Sequence, residues 1–238
     1  MKPWKSLAIV LFIVFCNIIV AQEASENASG SESMLSLIVN SGILGWLIIV
    51  LSVIMVGWST YCIMNIRRDK LIPAGILQEV EDLLDEESYE EVMEICISEP
   101  TFFTNVISAS LPKIEDGYDS MITNAQASIE EETIKLQQKI SWLQLIAAVG
   151  PMLGLLGTVT GMIDAFRTIA SSSSSPKPSA LAGGIYKALI TTCLGLVVAI
   201  VAMCVFFYFR NFIVKMTMEI TGIIEELFDR FRKVSEEN

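Results

Sequence analysis

Three long apolar runs, separated by polar stretches, dominate the hydrophobic pattern of the chain. These runs cover residues 43–66, 141–166 and 185–209. Each is long enough to cross a hydrocarbon core of ~30 Å, which requires ~20 apolar residues in a helix. The pattern therefore predicts three transmembrane helices, called here the first, second and third spans.

The stretches that flank the spans differ in character. Residues 22–42 are rich in Glu and Ser over their first half and predict a lead on the outer side of the membrane. Residues 67–140 carry apolar positions at helical spacing among many acidic ones, which predicts a helical domain with a solvated acidic surface. Residues 167–184 predict a short outer loop, and residues 210–238 an amphipathic helix that packs on the helix leading into the second span.

A shorter apolar run begins after Lys2 and Lys5 and ends at Ala21. Its charged start, short apolar centre and small last residue predict a signal peptide over residues 1–21, with an uncleaved anchor as the alternative. The fold class that follows is an all-α integral membrane protein. It has three transmembrane helices after the signal peptide, and its long helices extend into a cytoplasmic helical domain.

Basic residues mark one side of the membrane. They follow the inner ends of two spans, at Arg67, Arg68, Lys70, Arg210 and Lys215. Because clustered Lys and Arg beside a span indicate the cytoplasmic side, we expect a periplasmic N-terminus and a cytoplasmic C-terminus. A signal peptide predicts the same orientation independently.

Composition narrows the classes of function. The chain is 53% hydrophobic with a net charge of −11, which argues against a nucleic-acid partner that needs a basic face. It has no histidine, and its five cysteines show no close pairing, so neither a metal site nor a disulfide framework is expected. The acidic residues form no catalytic pair, and we predict no enzyme activity and no cofactor.

Small residues and hydroxyls interrupt the second and third spans. Gly154, Gly157, Gly161 and Gly195 are of the type that lets membrane helices pack closely. Four threonines lie among them, at positions 158, 160, 191 and 192. Counted from Phe166 and Ile185, Thr158 would lie roughly 12 Å deep and Thr192 roughly 10 Å deep.

Two explanations of these threonines remain open. A threonine in a membrane helix commonly bonds to a carbonyl of its own helix, which would make it purely structural. Hydroxyls at matched depth on adjacent helices also suit a proton path, since a hydroxyl both donates and accepts but holds no charge at neutral pH. A path built from Thr158, Thr192, Thr160 and Thr191 therefore needs a titratable group from elsewhere.

Two motifs resemble the MotA/TolQ/ExbB family of proton-channel subunits, and most closely its ExbB/TolQ branch. One motif is GLLGTVTGMI at residues 154–163, and the other runs from Gly184 to Ile200. Their order and spacing match the family, and the resemblance covers about residues 35–230. It implies a ring in the bacterial inner membrane, a pentamer in the family, around an ExbD- or TolR-type protein that supplies a membrane aspartate. The family threonines that match Thr158 and Thr192 line the ring, and the motion is passed to a TonB- or TolA-type protein.

Lys187 departs from the family pattern, because the best-known members carry a glutamate there. Two interpretations stay open: an anchor to the outer headgroups, or an ion pair with the partner's acidic residue. For the chain as a whole, the alternative to a proton-driven motor subunit is a non-conducting membrane scaffold. Replacing Thr158 and Thr192 with valine would distinguish the motor subunit, which should lose activity, from the scaffold, which should tolerate the change. A flagellar-type stator and a solute transporter are less well supported by this pattern.

Overall fold

The computed structural model describes residues 42–171 and 178–236. Within these residues the secondary structure is helical and contains no β-strand. The helices are α1 (Gly42–Asn65), α2 (Arg68–Leu71), α3 (Ala74–Asp85), α4 (Tyr89–Ser98), α5 (Phe102–Ser110), a 3₁₀ helix (Leu111–Asp116), α6 (Tyr118–Ser171) and α7 (Pro178–Glu236). The predicted signal peptide, nearly all of the N-terminal lead and the centre of the outer loop lie outside the described residues.

Among the residues that the structure describes, three helices are long and apolar enough to cross a membrane: α1, α6 and α7. The predicted all-α class with three transmembrane helices is thereby confirmed. α1 matches the predicted first span to within one residue at either end. α6 and α7 have 54 and 59 residues, so each continues far beyond its predicted span, as expected for long helices that also belong to a second domain.

The described chain forms two compact units. The first contains residues 42–61, 142–171 and 178–206, which include most of the apolar length of the three spans. At one end of this unit, the rings of Trp58 and Trp142 lie with their centroids 6.0 Å apart, so α1 packs against α6 there. Pro151 lies inside α6 without ending it, although proline removes one backbone donor from the helix.

The second unit contains residues 62–141 and 207–236. Its short helices α3, α4 and α5 bury apolar positions at helical spacing, as the pattern of residues 67–140 predicts. Ser88 occupies the N-cap of α4, but its side chain makes no capping hydrogen bond. The stronger cap is at α5, where Thr101 and Thr104 each accept a hydrogen bond from the other's backbone N–H.

The C-terminal part of α7 packs on α6 within the second unit, as the amphipathic pattern predicts. The hydroxyls of Thr133 and Thr217 share a hydrogen bond of 3.0 Å, which joins the two helices. The apolar positions of this part of α7 that are fully buried include Ile213, Ile220 and Phe228. Glu219 on α7 also forms an ion pair of 2.7 Å with Arg68 of α2. Both of its side chains are partly exposed, so the pair adds at most ~1 kcal/mol.

Candidate functional site

α6 and α7 approach each other closely at a series of glycines in the first unit. A Cβ atom added at Gly154 would be 3.0 Å from the Cα of Thr192, and one at Gly161 would be 2.8 Å from the Cβ of Ala188. At Gly195 it would be 2.6 Å from the carbonyl oxygen of Gly150. These separations leave no room for a side chain, so backbone lies nearly against backbone along this interface.

The same contacts fix how α6 and α7 are aligned. Positions that ascend along α6, at 150, 154, 157 and 161, meet positions that descend along α7, at 195, 192, 191 and 188. The helices are therefore antiparallel, and Thr192 lies opposite Gly154. Thr158 lies four residues beyond Gly154, about one helical turn or ~6 Å along the axis. The two threonines are thus offset by about a turn, whereas counting from the predicted span ends placed them level to within ~2 Å.

Each of the four threonine hydroxyls donates to a backbone carbonyl. Thr158 donates to Leu155 over 2.7 Å and Thr191 donates to Ala188 over 2.8 Å, both within their own helices. Thr160 likewise donates to the carbonyls of Leu156 and Gly157. Thr192 differs, because its hydroxyl crosses to α6 and donates to the carbonyl of Gly154 over 2.8 Å.

The helical period separates the threonines into two pairs. Thr192 contacts Gly154, and Thr158 follows Gly154 by four residues, a rotation of only ~40°. Thr158 and Thr192 therefore share one flank of the α6–α7 pair, called here the threonine flank. Thr191 packs against Gly157 on the other side of the interface and is only 2% exposed. Thr160 is two residues from Thr158, a rotation of ~200°, so it also lies away from the threonine flank.

Charged side chains are placed away from the threonine flank as well. Lys187 precedes Thr192 by five residues, which rotates it ~140° around α7. It is exposed, as is Asp164 near the end of α6. The titratable side chains on the three spans are Tyr61, Cys62, Asp164, Tyr186, Lys187, Cys193, Cys204 and Tyr208. On α6, Asp164 is six residues from Thr158 and rotated ~120° from it, and on α7 Cys193 and Lys187 are rotated ~100° and ~140° from Thr192. The threonine flank therefore presents hydroxyls and carbonyls and no carboxylate beside Thr158 or Thr192.

Metal ligands do not gather anywhere in the described part of the chain. No group of three His, Cys, Asp or Glu side chains there is arranged to hold a metal ion. The chemistry available on the threonine flank is consequently that of hydroxyl groups. Each hydroxyl can accept a hydrogen bond through its lone pairs, or can donate its own proton to a different acceptor.

Three further residues at the interface were not assigned to helix packing from the sequence. Gly150 lies outside both motifs, and Gly184 and Ala188 lie in the second motif; all three take part in the close approach together with the four glycines named above. The four-residue spacing of small residues, Gly150 to Gly154 and Gly184 to Ala188, is a signal that would have found them. The bond from Thr192 to Gly154 has no such signal, because its acceptor is a backbone atom on another helix.

Fold and site together define a class: a helical membrane protein whose two longest spans pack through glycines and present hydroxyls on one flank. Comparison with known families agrees with this class. The model of the MotA/TolQ/ExbB proton channel family matches residues 68–221, well over half of the chain. The chain belongs to this family.

Individual relatives point to the ExbB and TolQ members. The putative biopolymer transport protein ExbB-like 3 of Synechocystis is 34% identical over 116 residues, which cover 47% of this chain and 55% of that protein. The biopolymer transport protein exbB1 of Vibrio cholerae is 38% identical over 74 residues, or 31% of this chain and 32% of that protein. The Tol-Pal system protein TolQ of Pseudomonas aeruginosa is 35% identical over 77 residues, covering 32% and 33%. The matches thus span about a third to a half of these relatives.

Proposed function

We propose that this protein is the ring-forming subunit of a proton-driven motor in the bacterial inner membrane. In this proposal it surrounds an ExbD- or TolR-type protein whose acidic side chain carries the proton. The work obtained from the proton gradient passes to a TonB- or TolA-type protein for outer-membrane transport or envelope maintenance. Membership of a proton channel family and the ExbB and TolQ names of its relatives support this function.

The observation that carries the proposal is the threonine flank. Thr158 and Thr192 are both partly exposed and lie about a turn apart on one side of α6 and α7, amid apolar spans. A carboxylate in a membrane needs hydrogen-bond donors, and the two hydroxyls provide them without adding a competing charge. Because this flank has no carboxylate of its own, a second protein has to supply one.

The geometry narrows the set of threonines that we assign to the proton path. Thr158 and Thr192 are proposed as its lining. Thr191 is enclosed at the interface with Gly157, so we assign it, with Gly154, Gly161 and Gly195, to helix packing. Thr160 lies away from the threonine flank and provides a matched control, since it too is a threonine of α6 whose hydroxyl donates to its own helix.

The test is proton uptake into liposomes that contain this protein and its ExbD/TolR-type partner. The double substitution Thr158→Val and Thr192→Val should lower gradient-driven flux at least ~10-fold, because a hydrogen bond to a charged group contributes about 1.5–3 kcal/mol and ~1.4 kcal/mol is a factor of ten in rate. Thr160→Val should conduct as the wild type does. Equal flux in the double variant and the wild type, from an assembled complex, would remove the threonines from the path.

A non-conducting scaffold is the second candidate, and one observation favours it. All four hydroxyls are already satisfied by backbone carbonyls, so the threonines need no ligand to explain their presence. A scaffold of this kind would show no partner-dependent flux and would tolerate valine at both positions. The liposome measurement therefore distinguishes the two candidates directly.

Lys187 requires a separate assignment. It lies on the side of α7 away from Thr192, so a partner facing the threonine flank would not face Lys187. We propose that its ammonium group extends to the outer lipid headgroups, the alternative being an ion pair with the partner's acidic residue. With headgroup anchoring, Lys187→Gln should keep flux within ~5-fold, since an interfacial charge contributes only ~1 kcal/mol. A loss of flux comparable to that of the valine double variant would instead place Lys187 at the partner.

A further inference from the structure

The hydroxyl of Thr192 makes a connection that the other three threonines do not make. Its single proton is donated across the interface to the carbonyl oxygen of Gly154, at 2.8 Å. The oxygen of Ala188, on the same helix as Thr192, is a second acceptor at the longer distance of 3.4 Å. In the observed state Thr192 is therefore a hydrogen-bonded link between α6 and α7.

This link depends on the absence of a side chain at Gly154. The backbones approach so closely there that an added Cβ would lie 3.0 Å from the Cα of Thr192 and 3.2 Å from its carbonyl oxygen. The hydroxyl reaches the opposite helix only at this separation. Whether the link is formed is consequently coupled to the contact between the two helices.

The acceptor can release the hydroxyl at little cost. In an α-helix, a carbonyl accepts the backbone N–H of the residue four positions later, which for Gly154 is Thr158. Gly154 therefore keeps a helical partner when Thr192 turns away. The Thr192 hydroxyl, for its part, can turn only toward an acceptor on the threonine flank or back toward Ala188.

A carboxylate on the threonine flank would compete with Gly154 for this proton. A hydrogen bond to an ionised acceptor is roughly twice as strong as one between neutral groups, and the advantage grows where water is excluded. A protonated carboxyl has no such advantage and brings an O–H donor of its own. Toward that form Thr192 can stay bonded to Gly154 and accept through its free lone pairs.

We propose that Thr192 is a two-position switch controlled by the charge of the partner's carboxyl group. When the carboxyl is protonated, Thr192 links α7 to Gly154 of α6. When the carboxyl is ionised, Thr192 donates to it and the link opens. This inference rests on the function proposed above and adds to it a step by which each change of protonation alters the contact between two helices. Thr158 lacks this property, because its hydroxyl bonds only to Leu155 of its own helix.

The titratable groups that the structure describes near Thr192 on the three spans do not compete for that role. Cys193 follows Thr192 directly and is rotated ~100° from it, whereas Lys187 is rotated ~140°. Asp164 is ten positions along α6 from Gly154, or ~15 Å. On α1, Tyr61 and Cys62 lie at the end of the helix where the Trp58 and Trp142 rings meet. The carboxyl that moves the switch therefore belongs to the partner.

The sequence allows the Gly154 carbonyl to be observed almost alone. Glycine labelled with ¹³C at the carbonyl and leucine labelled with ¹⁵N mark only two bonds, Gly154–Leu155 and Gly195–Leu196. Solid-state NMR of the complex in liposomes would then report both carbonyl shifts as pH is varied across the titration of the partner's carboxyl. Gly195 serves as the internal control, since no threonine hydroxyl donates to its carbonyl among the hydrogen bonds described.

The switch predicts that, as pH rises and the partner's carboxyl ionises, the carbonyl signal of Gly154 moves toward the position of a weaker hydrogen bond. The carbonyl signal of Gly195 should not move. Replacing the partner's acidic residue by its amide should abolish the movement. Thr192→Val should hold Gly154 at the high-pH position throughout, and Thr192→Ser should restore the titration. A Gly154 signal that stays constant with pH, while flux still requires Thr192, would overturn the switch and leave the proposed function intact. Flux independent of Thr192 would overturn both.

Discussion

At the scale of single residues, the α6–α7 interface depends on glycines, whose lack of a side chain lets the two backbones approach closely. Gly157 faces the side chain of Thr191, and a methyl group at position 157 would overlap its hydroxyl and lie 2.7 Å from its Cβ. Membrane helices gain no hydrophobic free energy by leaving lipid for each other, so close packing has to supply their attraction. Small residues at these positions therefore serve the stability of the helix pair.

Gly157→Ala should separate α6 from α7 and destabilise the protein. Overpacking costs about 1–3 kcal/mol, which for a chain of this size lowers the melting temperature by ~2–10 °C, less the small gain in helix propensity from alanine. Gly183→Ala is the matched control, because a Cβ at Gly183 meets nothing within 4 Å. Thermal unfolding of the detergent-solubilised protein measures both. Equal stability of the two variants would contradict this account of the interface.

The residue scale also shows where sequence is sufficient and where it is not. The glycines and threonines could be found from sequence because small and hydroxylated residues are conspicuous in apolar spans. The division of the threonines between two sides of the interface could not be predicted, because it depends on which residues of α7 meet Gly154 and Gly157. The one-turn offset between Thr158 and Thr192 could not be predicted either, because the ends of apolar runs do not fix the alignment of two helices.

At the scale of helices, the hydrophobic pattern predicted the three long apolar helices, a helical domain after the first of them and the buried face at the end of α7. It did not divide residues 67–140 into α3, α4 and α5, whose bounds come from the structure. Ser88 shows a limit of such patterns: a serine is a common residue at a helix N-cap, but whether its side chain makes the capping bond depends on a rotamer that the sequence does not set. Likewise the capping box at Thr101 involves Thr104, not the Glu or Gln usually sought there.

Cys96 gives the helical unit a predictable dependence on alkaline pH. The thiol is buried in α4, and burial raises its pKa from 9.0 to about 11. The pKa of this thiol is higher in the folded protein than in the unfolded chain. The contribution of the buried neutral thiol to the free energy of unfolding is therefore complete below pH ~9 and is lost as pH rises through about 11. Between pH 8 and 10 the wild type should therefore lose more thermal stability than Cys96→Ala.

The control for this comparison is Cys193→Ala, which removes an exposed cysteine. It should lose as much stability between pH 8 and 10 as the wild type does, because the other titrating groups are common to all three proteins. Identical losses in the wild type and Cys96→Ala would show that the buried thiol does not contribute.

At the scale of the whole molecule, orientation in the membrane remains a prediction that rests on charge. Basic residues follow the first and third spans at Arg67, Arg68, Lys70, Arg210 and Lys215, and a membrane protein retains such clusters on the cytoplasmic side. If this orientation holds, the end of α6 at Ser171 is periplasmic and Glu226 near the end of α7 is cytoplasmic. Both side chains are exposed, so a cysteine at either position would be open to reagents on its own side.

Cysteine labelling in spheroplasts tests the orientation. In a background in which the five native cysteines are replaced by alanine, Ser171→Cys should react with a membrane-impermeant maleimide added outside, and Glu226→Cys should react only after permeabilisation. Labelling of both after permeabilisation controls for reactivity. The reverse pattern would place the charged ends of the first and third spans outside. In the function proposed above, protons driven inward by the gradient would then reach Thr192 before Thr158.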